Sequence, residues 1–168
     1  LWDTRVPVPM PSDVVIEHWL PWESSYSVSF LLAPGQAPVP LAACEQVVDP
    51  DRGEWVGSKS HGSLDEADVS AVLDHLRPVF ADMAAEGVGG VAAVDVVVGS
   101  GTAWPDRGFA LPSGRRLCVI ECNPRFNQHN RIGMIVERLA RRWDVPVADL
   151  SWSMRNVDLP AGTTLEAL

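Results

Sequence analysis

The sequence predicts an α+β domain, an antiparallel sheet flanked by two helices. Short runs rich in valine and aromatic residues, at 14–17, 26–32 and 39–47, are each bounded by Pro or Gly, which is how strands joined by turns are punctuated. Two further apolar runs, 91–98 and 117–123, are separated by a Gly- and Pro-rich stretch suited to an extended hairpin loop, so these two strands are expected to be antiparallel neighbours. Two other segments, ending near Gly87 and Trp143, carry apolar residues at helical spacing.

Taken in order, residues 1–13 contain Pro7, Pro9 and Pro11 and read as an extended lead-in that cannot be helical. After the first three strands, residues 49–63 form a turn-rich connection containing Trp55, Gly57, Lys59 and His61. Ser63-Leu-Asp-Glu66 then has the capping-box form, and Val69, Val72, Leu73, Leu76, Phe80 and Met83 recur on one helical face. Pro78 lies inside this helix, which predicts a kink or break near residues 74–77. After the last two strands, residues 131–143 form an amphipathic helix with Ile132, Ile135, Val136, Leu139 and Trp143 on one face. Residues 145–168, with Pro146 and Pro160, read as an irregular tail, or as a short helix followed by a loop, which leaves 14–144 as the folded unit.

Composition agrees with a single soluble globular domain. The chain has 168 residues, 46% hydrophobic and 21% charged, enough to bury a proper core. No stretch approaches the length of a membrane span and no leader opens the chain, so a cytoplasmic location is expected. A formal net charge of −9 opposes general nucleic-acid binding. Cys44, Cys118 and Cys122 form no C-x-x-C pair, and their odd number speaks against a disulfide framework. By simple alternation Cys118 and Cys122 face away from Glu121 and read as small core residues.

The chemistry concentrates in residues 117–128, LCVIECNPRFNQ. On a strand ending at Asn123, Glu121 and Asn123 point the same way, with Arg125 just beyond. An ionised carboxylate in such an apolar run costs several kcal/mol unless a cation or hydrogen bonds offset it. The run 91–98, VAAVDVVV, makes the same demand at Asp95. If the two strands are neighbours, Asp95 faces Glu121 and Asn123, and two carboxylates with an amide oxygen make a hard site suited to Mg²⁺ shared with a phosphate. The simpler alternative is a buried salt bridge from Asp95 to Arg125 or Arg116.

An acidic residue in one strand, a loop, then a strand ending in E-x-N-P-R resembles the ATP-grasp enzymes. The resemblance implies that Asp95, Glu121 and Asn123 hold magnesium ions bridging the phosphates of ATP, and that Arg125 contacts phosphate or substrate. Residues 14–30, VVIEHWLPWESSYSVSF, are similar to the family's hinge. That likeness implies that Glu17 and the backbone at His18 to Leu20 hold the adenine edge and that Glu23 meets the ribose hydroxyls. It covers roughly residues 14–143 and only the C-terminal lobe of an ATP-grasp unit. The lobe bearing the phosphate-binding lysines has no counterpart, since Lys59 is the sole lysine and no strand before Val14 could carry others.

The implied function is an ATP-binding, Mg²⁺-dependent ligase lobe that activates a carboxylate as an acyl phosphate for attack by an amine or another nucleophile. The expected partners are the carboxylate and amine substrates and the missing N-terminal lobe or a companion chain, with a homodimer as another possibility. Trp19, Leu20 and Trp22 would flank the exposed patch where such a partner sits. The isolated chain is expected to be inactive. Two alternatives compete: a non-catalytic, regulatory module derived from the same fold, and an unrelated metal-free binding domain. The histidines at positions 18, 61, 75 and 129 lack zinc-site spacing. His75 is expected to be solvated, and Lys59 and His61 either reach phosphate or are solvated. His129, with Asn127, Gln128, Asn130 and Arg131, lines an acceptor pocket or caps the following helix.

Overall fold

The computed structural model describes residues 20–60, 62–101, 104 and 108–156, with the side chains of residues 128–130 and 148 excepted. The expected lead-in, the strand at 14–17 and the hinge residues Glu17 and His18 lie outside this set.

Seven strands form one sheet: β1 Ser24–Leu32, β2 Val39–Val48, β3 Trp55–Lys59, β4 Gly90–Gly99, β5 Phe109–Ala110, β6 Arg116–Asn123 and β7 Ser153–Arg155. Their order is β5-β6-β4-β1-β2-β3-β7, and every paired neighbour is antiparallel. The helices are α1, Glu66–Ala85, and α2, Gln128–Trp143, and a short 3₁₀ turn follows at Val147–Asp149.

Alternation in β1 explains the layering. Tyr26, Val28, Phe30 and Leu32 point to one face, where with Val94, Val96 and Val98 of β4 they meet Val72, Leu76, Phe80 and Ala84 of α1. The Phe30 and Phe80 rings pack with centroids 4.3 Å apart. Ser25, Ser27 and Ser29 fall on the opposite face and are nevertheless buried. α2 lies over that second face along β2, where its Gly133 approaches Ala42.

Several sequence expectations are corrected. The connection at 49–63 contains β3, and the irregular tail contains the 3₁₀ turn and β7, which pairs with β3. The cap of α1 is Asp65, whose side chain accepts from Asp68 N at 2.8 Å. Ser63 is unsuited to that task because its hydroxyl is engaged with Ser24, Tyr26 and Arg115. Helix α1 continues unbroken through Pro78, and α2 begins three residues earlier than its periodicity suggested. Ile135 and Trp143, placed on the packed face of α2, are exposed, and Val136 and Ala140 are the buried ones among the described side chains of that helix. His75 is exposed but stacks on Phe109 with ring centroids 3.9 Å apart. Cys122 is exposed and Cys118 half-buried, so only Cys44 is a core cysteine.

The start of α1 is tied to the β5–β6 turn. Asp68 is fully buried, accepts from Ser113 N at 3.0 Å and pairs with Arg115 at 2.8 Å. Arg115 also donates to Ser63 O at 2.8 Å. Burial raises the Asp68 pKa, but the Ser113 hydrogen bonds and the Arg115 guanidinium outweigh it, so the carboxyl ends below the usual carboxylate range.

Candidate functional site

Strands β4 and β6 pair as the hairpin reading requires, and the register places Asp95 opposite Glu121 and Ala93 opposite Asn123. Immediately beyond, Val96 pairs with Val119, so Ile120 is an extra residue, a β-bulge in β6. Through this slip Leu117 joins the α1-side core while Glu121 and Asn123 occupy the opposite face. Cys118, paired with Val97, thereby shares the face of Glu121, contrary to the simple alternation.

The site side chains differ in their surroundings. Glu121 is exposed, Asp95 is half-buried and Asn123 is buried. Asn123 Nδ2 donates to Asp95 Oδ2 at 3.2 Å. Burial pushes the Asp95 carboxyl up, and the charge of Glu121 adds to this, while Ser27 and Gln46 act in the opposite direction. Even so, Asp95 Oδ1 and Ser27 Oγ are buried without a hydrogen-bond partner of acceptable geometry. Ser27 is the direct cross-strand partner of Asp95 and is 1% exposed. Among the described residues no arginine forms an ion pair with Asp95 or Glu121, so the salt-bridge alternative is not realised. Arg125 is exposed, its backbone N–H donating to Asn123 O at 2.7 Å, and Arg116 instead donates to Gly108 O at 3.2 Å.

The fit to a divalent cation can be judged from these donors. No group of three His, Cys, Asp or Glu side chains suited to a metal occurs among the described residues. An ion here would rest on two carboxylates and an amide, all oxygen donors, and would take its remaining ligands from phosphate or water, as Mg²⁺ commonly does. The orphaned Asp95 Oδ1 and Ser27 Oγ are compatible with such an occupant, since an unsatisfied buried oxygen otherwise costs about 1–3 kcal/mol.

At the start of β1, Glu23 N donates to Val98 O at 2.8 Å, and the Glu23 carboxylate accepts from the Ser100 hydroxyl. Glu23 is in phase with Ser25 and Ser27, hence on the Asp95 face. The Ser24–Val98 and Ser27–Asp95 pairs are three steps apart, about 10 Å along the strand. Leu20 is half-buried, and Pro21 O accepts from Trp104 Nε1 at 2.6 Å. Lys59 is paired with Glu45 at 3.1 Å. Asn127 directly precedes α2, and residues 128–130 form its first turn.

Sequence reasoning missed Ser27, Gln46 and Trp104. The first had a visible signal, because serines at every second position of an otherwise apolar strand mark one face as different. Trp104, buried and packed where a side chain on Gly99 would stand, had none.

Fold and site define an α+β lobe, an antiparallel sheet with two helices and a paired-carboxylate centre on the face away from α1. It is similar to an ATP-grasp superfamily protein from Archaeoglobus fulgidus, with a TM-score of 0.44 and 22% identity over 75% of this chain and 33% of that one. It is also similar to N5-carboxyaminoimidazole ribonucleotide synthetase in complex with ADP, with a TM-score of 0.41 and 18% identity over 66% of this chain and 24% of that one. The chain therefore spans a third or less of the length of these proteins. No family model and no curated protein matches the sequence.

Proposed function

We propose that the chain is the nucleotide-binding, Mg²⁺-dependent lobe of an ATP-grasp ligase that activates a carboxylate as an acyl phosphate for attack by an amine or other nucleophile. The observation that carries this reading is the placement of Asp95, Glu121 and Asn123 on one face, with Asp95 Oδ1 and Ser27 Oγ unpaired beside them. Two carboxylates held together with no arginine paired to them among the described residues are poorly explained as structural residues. In this reading Asp95, Glu121 and Asn123 hold Mg²⁺, which when bound neutralises charge on the transferring phosphoryl group. Asn123 fixes the Asp95 carboxylate through its amide N–H. Arg125, exposed at the end of β6, presents a forked set of donors to phosphate or to the activated acid.

Glu23 and Leu20, with Glu17 and His18 before them, take the nucleoside end. The separation of about 10 Å between the Glu23 end and the Asp95 pair suits a nucleotide lying along β1 with its phosphates toward β6. The facing lobe, or a companion chain, supplies the lysines that this sequence lacks. The test is titration of the chain with ADP, with and without Mg²⁺. Mg²⁺-dependent binding that weakens at least tenfold in Glu121→Ala supports the reading; nucleotide binding indifferent to both Mg²⁺ and Glu121 overturns it.

A further inference from the structure

We infer that the gap where the sheet opens beside β2 is a second binding site, one that takes an apolar molecule carrying a positively charged amine. Strand β3 pairs with β2 only between Glu45–Lys59 and Val48–Trp55. Beyond Lys59 the chain turns to β7 instead: Ser60 N donates to Trp152 O at 3.0 Å, and Trp152 N donates to Ser60 Oγ at 2.9 Å. Residues 42–44 of β2 therefore pair with β1 on one side and, with the bulged Leu41, face a cavity of about 480 Å³ on the other. Val69 and Leu73 of α1 line it, Gly133 and Val136 of α2 line it too, and Leu150 and Trp152 close its far end. Because the two helices pack on opposite faces, the cavity lies in the plane of the sheet rather than on either surface.

Its volume falls within the usual range for small-molecule sites, and its lining is largely apolar. The charges around it have one sign. Asp65, Glu66 and Glu137 line it, and no Lys or Arg does among the described residues. The Asp65 carboxylate is engaged in capping α1, and Glu137 meets Arg141 in an exposed pair at 2.8 Å. Glu66, with a Glu137 released from that weak pair, can receive an ammonium group, while the open edge of β2 offers backbone carbonyls as further acceptors. An anionic ligand would meet three carboxylates, of which Glu137 alone has a cationic partner among the described residues. The site is distinct from the Asp95 pair: β1 lies between β4 and β2, a separation of about 10 Å across the sheet.

Phenethylamine, phenethyl alcohol and phenylacetate share a ring and a chain and differ in charge, so calorimetry or ligand-observed NMR with the 168-residue chain tests the inference. The amine is expected to bind at least tenfold more tightly than the alcohol, and phenylacetate not at all. The double substitution Glu66→Gln, Glu137→Gln should reduce the amine to the level of the alcohol, and Leu73→Trp, which fills the cavity, should abolish both. Absence of amine binding to the wild type, equal affinity for amine and alcohol, or amine binding that survives Leu73→Trp in a folded protein would overturn the inference. If Leu73→Trp does not fold, the double glutamine variant decides alone: unchanged amine preference there also overturns it.

Discussion

Asp95 and Glu121 stand directly opposite each other in the β4–β6 ladder, two acidic residues in one cross-strand pair with no arginine paired to either among the described residues. Like charges so placed destabilise a sheet unless something positive joins them. Glu121→Gln should therefore leave the melting temperature in Mg²⁺-free buffer unchanged or raise it slightly, while removing Mg²⁺-dependent nucleotide binding. A buried salt bridge would respond in the opposite way, losing about 3 kcal/mol. Thermal melts of both proteins with and without Mg²⁺ distinguish the two, and a large loss in metal-free buffer would end the metal reading.

Acid should act on Asp68 and Asp95 with opposite sign. The Asp68 carboxyl is held low, so its contribution to stability is present above the unfolded carboxylate pKa and is lost as pH falls through the lower folded value. That of Asp95 is raised, first by burial and then by Glu121, so its ionisation opposes folding, and stability is lost as pH rises through the folded value. Asp68→Asn should cost about 3 kcal/mol at neutral pH, because it strands Arg115. It should also flatten the acid limb of a stability profile, whereas Asp95→Asn should steepen it. Denaturant melts at a series of pH values between about 2 and 6 read both slopes.

Gly57 of β3 is paired with Arg155 of β7. A Cβ there would stand 2.1 Å from the backbone oxygen of Met154, so the strand cannot yield by a side-chain rotation. Gly57→Ala should cost on the order of 1–3 kcal/mol and release β7 first. Hydrogen exchange at the Asn156 amide, which donates to Val56 O at 2.8 Å, should accelerate before any amide of β1 does.

The thiols should separate by position. Burial pushes Cys44 up to about 11, and its side chain is 2% exposed. Cys122 is exposed, between two of the candidate ligands. Iodoacetamide at mildly alkaline pH should modify Cys122 and leave Cys44 untouched in the folded protein. Modification should leave Mg²⁺-dependent nucleotide binding in place, because Cys122, paired with Val94, points to the face away from Glu121 and Asn123; peptide mapping with a binding assay on the same sample checks both outcomes.

Strands β1, β2, β4 and β6 were legible because each is long and apolar or alternating, and α1 and α2 because their apolar spacing is regular. β3 was not, since WVGSK is five residues with a glycine and a lysine, and β7 was hidden because an edge strand of three residues has no burial pattern of its own. Asp95, Glu121 and Asn123 stood out as polar residues in apolar runs, and the structure does bring them together. Asp68 did not stand out, because an acid in the first turn of a helix is ordinary; its role depends on Arg115, 47 positions away. The bulge left no mark in the sequence, which is why the face of Cys118 was misread, whereas Cys122, paired with Val94, does face away from Glu121.

That bulge makes the length of β6 a counted quantity. Leu117, Val119, Glu121 and Asn123 are all odd-numbered, yet the ladder assigns Leu117 and Glu121 to opposite sides by placing one unpaired residue, Ile120, between them. Deleting Ile120 would leave every remaining partner in place, Val119 with Val96 and Glu121 with Asp95, at the expense only of the local bend. Deleting Cys118 instead would draw Leu117 onto the carboxylate side and leave a hole under α1. Within this strand, evolution or an engineer can shorten the chain cheaply at position 120, while a deletion at position 118 trades core for site.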